Sequence, residues 1–432
     1  MLTLRSTFAK LFTILKSRWF LGIIDQLLCG VGNFLTGTLI ARSSSLAEFG
    51  LFSLGTTIIL LLVDIQAGLI STPQSINTAG YIGKREKSFS GSTLVHQICL
   101  GMAVSVLLYT VIIFLRVTGS GIAGLAGMLP AIATFSLFVL MREYLRRYFY
   151  TVGQVGRVVL FDSLIIAVQL SVVYAIASWN LASAFLAHSI VGSAAAFFSL
   201  LTIYSLRSKF AVVKKNIWPD FISNFRIGKW AVVNNLSWTA GAYAYPWLLA
   251  LIHGTQSTAV WAACMSIIGI MNMVLAGILN VLTPSMAKIF AEGDLKKFRR
   301  YVLRMCWNYV AVAIVLSIAP IIFGSSLITY VYGQSYDGAH PIIALLAANA
   351  IFGAVTGAAG RGLMVLGLSK EDFIVNIIVL SLVFTVGLWG TSRYGVVGAA
   401  ASLAFANALG AAMRLFFFNV ESRRLLKVGY SV

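Results

Sequence analysis

The chain has 432 residues, 59% hydrophobic and only 10% charged, with 32 Lys and Arg against 13 Asp and Glu and a formal charge of +19. A soluble domain averages about 25% charged residues, so these proportions exclude a soluble enzyme and a disordered chain. Twelve helices of about 21 residues, each able to cross about 30 Å of hydrocarbon, would use roughly 250 residues. A polytopic all-α membrane protein is expected.

The N-terminus is basic (Arg5, Lys10, Lys16, Arg18). The apolar run behind it is too long for a signal-peptide core and no small-residue cleavage site follows, so it reads as a retained first span. Apolar runs then lie at 19–41, 49–72, 92–115, 121–141, 158–178, 181–204, 230–252, 258–282, 305–324, 341–366, 373–391 and 396–419. Short turns at 178–181 and 392–396 predict tight helical hairpins. The ninth run is the weakest, because Pro320 falls near its end. The expected organisation is an N-terminal six-helix lobe (1–204), a cytoplasmic linker (205–229), and a C-terminal six-helix lobe with a short cytoplasmic tail (230–432). The two lobes are expected to be pseudo-symmetric around a central cavity.

Charge placement tests that topology. With the N-terminus in the cytoplasm and strict alternation, inside segments hold 27 basic residues and outside segments three, Arg42, Arg116 and Arg393. Insertion rules predict that asymmetry, and one missed span would scramble it. The net charge therefore needs no nucleic acid, and part of it suits anionic lipid headgroups. No outside segment is long enough for an extracytoplasmic catalytic domain. A weak internal repeat supports the six-plus-six division: an offset of 211 places Thr72-Pro73 on Thr283-Pro284 and Pro130 on Pro341. Six spans per half put the pseudo-two-fold axis along the membrane normal.

Ionisable groups inside spans carry the most information, since a charge in hydrocarbon costs at least about 2.5–3.5 kcal/mol. Asp25, Asp64, Asp162 and His96 fall in the inner halves of spans one, two, five and three, as candidates for ion coupling. The plainer readings pair Asp25 with Arg18, pair Asp162 with Arg157 or make it a cap, and make His96 an interfacial histidine. Arg361 and Arg414 lie near the inner ends of spans ten and twelve, where they could meet an anionic substrate or snorkel to headgroups. Span seven combines Trp238 with Asn234, Asn235 and further aromatics, a set able to stack on and hydrogen-bond sugars. Asn33 and Asn272 are polar groups of spans one and eight, equally suited to interhelical bonds. The four cysteines show neither metal-ligand nor disulfide spacing. There is no HExxH and no nucleotide-binding loop. No metal, no cofactor and no enzyme activity is expected, and transport cannot run on ATP bound to this chain.

Leu39-Ile40-Ala41-Arg42 followed by Ala47-Glu48-Phe49-Gly50-Leu51-Phe52-Ser53 resembles the first hairpin of Wzx-type polysaccharide flippases. Asp64 with Gly68-Leu69 is similar to that family's close of helix two, and Arg361 with Gly367 and Ser369-Lys370 to its turn after helix ten. The motif-level match covers about 60 residues, and the remainder matches in length and span count. The resemblance implies the multidrug/oligosaccharidyl-lipid/polysaccharide exporter superfamily. It implies two six-helix lobes around a cavity lined by helices one, two, seven and eight. It also implies alternating-access export of a polyprenyl-pyrophosphate-linked oligosaccharide across the inner membrane, ion-coupled, for cell-surface polysaccharide. The implied partners are the lipid-linked oligosaccharide, membrane lipids, and a glycan polymerase with export components. Carried onto this chain, it places Asp25, Asn33 and Arg42 on helix one, Asp64 on helix two, and Asn234, Asn235 and Asn272 on helices seven and eight. The middles of helices seven and eight contain no Lys or Arg, which shifts the expected pyrophosphate contact to Arg42, Arg361 and Arg414. The alternative is an ion-coupled small-molecule antiporter of the multidrug or major-facilitator type. A membrane glycan polymerase would need outer-face carboxylates, and only Glu48 and Asp337 lie outside.

Overall fold

The computed structural model describes residues 18–78 and 80–427, without the side chains at 18, 19, 238, 280, 281 and 284. The basic residues Arg5, Lys10 and Lys16 thus lie outside the described residues. Among the described residues twelve helices follow one another with short connections. In the first half these are α1 (Arg18–Ser43), α2 (Leu46–Thr78), α3 (Lys84–Thr118), α4 (Leu125–Thr151), α5 (Val155–Ser178) and α6 (Ala184–Ser205). In the second they are α7 (Lys214–His253), α8 (Thr255–Ala291), α9 (Leu295–Tyr332), α10 (His340–Val365), α11 (369–394) and α12 (396–427).

Length and apolarity mark ten membrane-crossing stretches among the described residues. One of them, Ser369–Lys427, is broken at Gly395, whose φ of 57° and ψ of −134° fit no helix. It therefore holds both α11 and α12. The remaining helix, α7, does not meet that criterion: its basic residues lie in the first turns, and Asn234, Asn235, the tryptophans and tyrosines and Pro246 dilute the apolarity of the rest. Pro320 does not end the ninth span: α9 runs through it for 38 residues. The fourth span starts later than expected, because Gly121 and Gly124 have positive φ and α4 begins at Leu125.

Local chemistry sets several ends. Ser45 caps α2 through Glu48 N, Ser183 caps α6 through Leu186 N, and Asp294 caps α9 through Lys297 N, each satisfying an orphan N–H of the first turn. The Glu48 carboxylate also accepts from Ala184 N at 2.7 Å, joining the starts of α2 and α6. Midway along α2, residues Ala67–Ser71 form a wide π-turn, a feature often found at functional positions.

The chain packs as two compact units, one ending at Thr239 and the other starting at Ala240. Residues 214–229, expected as part of a loose linker, are instead the first turns of α7 and pack with the N-terminal unit. Its core gathers Ile70, Met141, Tyr144, Leu145, Phe149 and Phe161. The core of the C-terminal unit gathers Phe298, Val302, Tyr309, Leu363 and Phe418, with Ala354 and Ala358 letting α10 approach its neighbours closely. The paired prolines keep their topological places: Pro130 lies in the first turns of α4 and Pro341 opens α10, the fourth helix of each half.

Candidate functional site: a buried ion cluster and an unpaired arginine

Three helices of the N-terminal unit converge on a cluster of charge. Arg142, Arg146 and Tyr150 recur every four residues on α4 and so share one face. Opposite stand Asp25, two turns into α1, and Asp162, two turns into α5. Arg142 donates to Asp162 Oδ1 from Nη2 at 2.7 Å and from Nε at 3.1 Å. Arg146 bridges the two acids, donating from Nε to Asp162 Oδ2 at 2.5 Å and from Nη2 to Asp25 Oδ2 at 2.9 Å. Its Nη1 reaches Glu143 at 3.0 Å. Tyr150 donates to Asp25 Oδ2 at 2.7 Å. Asp25 and Asp162 are 0% exposed.

Asp25 pairs with Arg146, and the Arg18 side chain lies outside the described residues; Asp162 pairs with Arg142 and Arg146 rather than Arg157. Three carboxylates against two guanidinium groups leave a formal charge of −1. Asp25 Oδ1 is buried and has no hydrogen-bond partner. The Asp25 and Asp162 oxygens and Cys29 Sγ lie within 4.8 Å of one another, but both carboxylates already bind guanidinium groups. That donor set suits an internal ion pair, not a metal.

The other candidates divide. His96, read as an ion-coupling group, holds the backbone of the segment before α7's span: its Nε2 donates to Ile217 O at 2.9 Å. Asp64 and Asn235 meet, since Asn235 Nδ2 donates to the Asp64 backbone carbonyl at 3.2 Å. There α7 crosses the π-turn of α2 so closely that a Cβ on Gly68 would lie 2.7 Å from Val232 N. Asn33, Arg42, Asn234 and Asn272 are exposed on their helices and are not drawn into the cluster. The Trp238 side chain lies outside the described residues. In the C-terminal unit Arg414 does not snorkel. It is 3% exposed and donates to Asp372 Oδ1 at 2.6 Å and Asn376 Oδ1 at 2.5 Å.

Arg361 differs from Arg142, Arg146 and Arg414. It is half-buried on α10 beside Tyr309, whose hydroxyl donates to Leu275 O on α8 at 2.7 Å. Among the described residues no carboxylate pairs with it. Arg142, Arg146 and Arg414 are each neutralised by a neighbouring acid, whereas the Arg361 fork stays available.

Sequence reasoning counted Arg142 and Arg146 as topology signals and passed over Glu143 and Tyr150 in the cluster. Their four-residue spacing, at the depth of Asp25 and Asp162, was the available signal. It also passed over the amides beside the π-turn, where buried Gln66 donates to Ser71 Oγ and Gln97 Oε1, both at 3.0 Å.

No family model matches the sequence, and no curated protein does. Solved structures do match. One is an inward-facing multidrug resistance MATE family transporter of the MOP superfamily, with TM-score 0.76 and 14% identity over 93% of this chain and 96% of that one. A second is a MOP superfamily transporter from Pyrococcus furiosus described as having a binding pocket of reverse polarity, with TM-score 0.66 and 14% identity over 94% and 95%. A third is an outward-facing MATE transporter, with TM-score 0.64 and 13% identity over 95% of each chain. The chain is thus a multi-pass helical membrane protein with the fold of the MATE transporters, two lobes of six helices.

Proposed function

We propose that the chain is a flippase that moves a polyprenyl-pyrophosphate-linked oligosaccharide across the inner membrane by alternating access. The observation that carries this reading is Arg361, the in-span arginine without a described acidic partner. A guanidinium fork can give two parallel hydrogen bonds to a phosphate, and a charge kept unpaired inside a span is costly unless a ligand or water meets it. Asn234, Asn272 and Asn33, exposed on α7, α8 and α1, supply amides suited to sugar hydroxyls, and Arg42 a second cation. The proposed coupling step is proton uptake at the Asp25–Arg146–Asp162 cluster. Protonating Asp25 neutralises the excess charge and weakens its hold on Arg146, which biases the balance between two states of the transporter.

The test is export of lipid-linked glycan in a flippase-deficient strain. Arg361→Ala and Asp64→Ala are expected to reach the membrane at normal levels yet leave the glycan-lipid on the inner leaflet. Full complementation by both variants would overturn the reading. The second reading, an ion-coupled drug antiporter, is favoured by the multidrug transporter among the fold neighbours. It predicts resistance to cationic drugs that Arg361→Ala does not diminish.

A further inference from the structure

The first turns of α7 present an inside-out helix. On a wheel of about 100° per residue, Asn216, Asp220, Asn224 and Gly228 share one side. That side faces protein: Asn216 Nδ2 donates to Ser88 Oγ at 2.7 Å, Asn224 Oδ1 accepts from Asn77 at 2.9 Å, and Asp220 forms an ion pair with Arg85. Asp220 and Asn224 are each 2% exposed. The backbone adds two ties, His96 to Ile217 O and Ala211 N to Lys87 O at 3.0 Å. All five straps run to residues 77–96 at the end of the lobe that carries the basic connections. The polar side of the segment is therefore the one hidden in protein.

The second side is uncovered and, apart from Lys214 at its start, apolar. Trp218 is 67% exposed, and Phe221, Ile222 and Phe225 lie beside it, also exposed. The rings form a ladder, Trp218 to Phe221 at 5.4 Å and Phe221 to Phe225 at 5.9 Å between centroids, both stacked. The third side carries Lys215 and Arg226, with Lys229 on its border with the aromatic side, all exposed. A helix facing water on two sides would not place four large apolar side chains on one of them. A helix at a bilayer surface would: aromatics belong at the headgroup level and basic residues beside them. The same helix continues into the span of α7, so this segment sits where the chain meets the membrane.

We propose that residues 214–229 form an interfacial helix that binds anionic phospholipid headgroups of the basic, cytoplasmic-side leaflet through Lys215, Arg226 and Lys229, with Trp218, Phe221, Ile222 and Phe225 set among the acyl chains. The site is independent of the transported substrate. Because the opposite side is strapped to α3 through Asp220 and Arg85, lipid composition acts directly on the segment that leads from the N-terminal unit into the C-terminal one.

The full chain is reconstituted in phosphatidylcholine vesicles doped with equal mole fractions of brominated phosphatidylglycerol or brominated phosphatidylcholine. Subtracting the Trp218→Phe signal isolates Trp218 from the other tryptophans, which serve as an internal control of folding. The Trp218 component is expected to be quenched by both lipids, about threefold or more strongly by the anionic one, since three basic residues stand at an anionic surface. Lys215→Gln/Arg226→Gln/Lys229→Gln should abolish the preference while keeping the quenching, and high salt should do the same. A Trp218 component untouched by either lipid means that water or a protein covers this face, and overturns the proposal. Equal quenching by the two lipids in the unsubstituted protein overturns the anionic assignment.

Discussion

Arg146 holds two buried acids at once, so removing it should expose the energetics of the whole cluster. In Arg146→Met the methionine fills most of the volume, but Asp25 loses its 2.9 Å guanidinium contact and Asp162 its 2.5 Å one. The formal charge of the cluster falls from −1 to −2 with both acids fully buried. Breaking a buried pair by deleting one partner costs about 3–5 kcal/mol. At about 2–4 °C per kcal/mol for a unit of this size, the melting temperature should fall by roughly 6–20 °C. The double variant Asp25→Asn/Arg146→Met restores the charge to −1. With a coupling of about 0.5–3 kcal/mol between contacting groups, it should melt above the value obtained by adding the two single losses. The assay is thermal unfolding of purified protein followed by size-exclusion fluorescence. The reasoning fails if Arg146→Met melts within about 2 °C of the parent, or if the double variant shows only the additive loss.

Other outcomes follow from the same geometry. Arg361→Lys should keep only part of the proposed flippase activity that Arg361→Ala loses, since an ammonium is a point charge without the fork; equal activities of Lys and Arg would remove the bidentate argument. Asp372→Asn should destabilise by about 1.5–3 kcal/mol by taking the charged acceptor from buried Arg414, and an unchanged melting temperature would count against that pair. Gly68→Ala forces a Cβ to 2.6 Å from Val232 Cγ2 and 2.7 Å from its backbone nitrogen. Backbone cannot yield as a side chain does, so a loss of about 1–3 kcal/mol is expected, visible as a lower melting temperature; parental stability would show that α2 and α7 cross less closely.

Much of the architecture was legible in the amino-acid order. Twelve apolar runs became twelve helices among the described residues, including α7, which an apolarity criterion alone would miss. Pro130 and Pro341 each lie in the first turns of the fourth helix of their half. These features are local: hydropathy over about 20 residues decides whether a stretch can cross a bilayer, and Gly395 breaks the last long run by its own backbone.

The partners of the charged residues were not legible. Asp25, Arg146 and Asp162 are far apart in sequence, and each has a nearer plausible mate. A one-residue change in how α1, α4 and α5 rotate against each other would turn these side chains by about 100°. Which arginine meets which acid is therefore set by packing of apolar faces that the charges themselves do not encode. The same holds for residues 214–229, whose composition reads as a basic linker. Only the docking of Asn216, Asp220 and Asn224 onto α2 and α3 turns its aromatic side outward. Composition and charge determined that the chain is a helical membrane protein. Tertiary structure decided that Arg142, Arg146 and Arg414 are held by acids while Arg361, among the described residues, is not, because full burial favours a charge only where another chain segment brings its counter-charge.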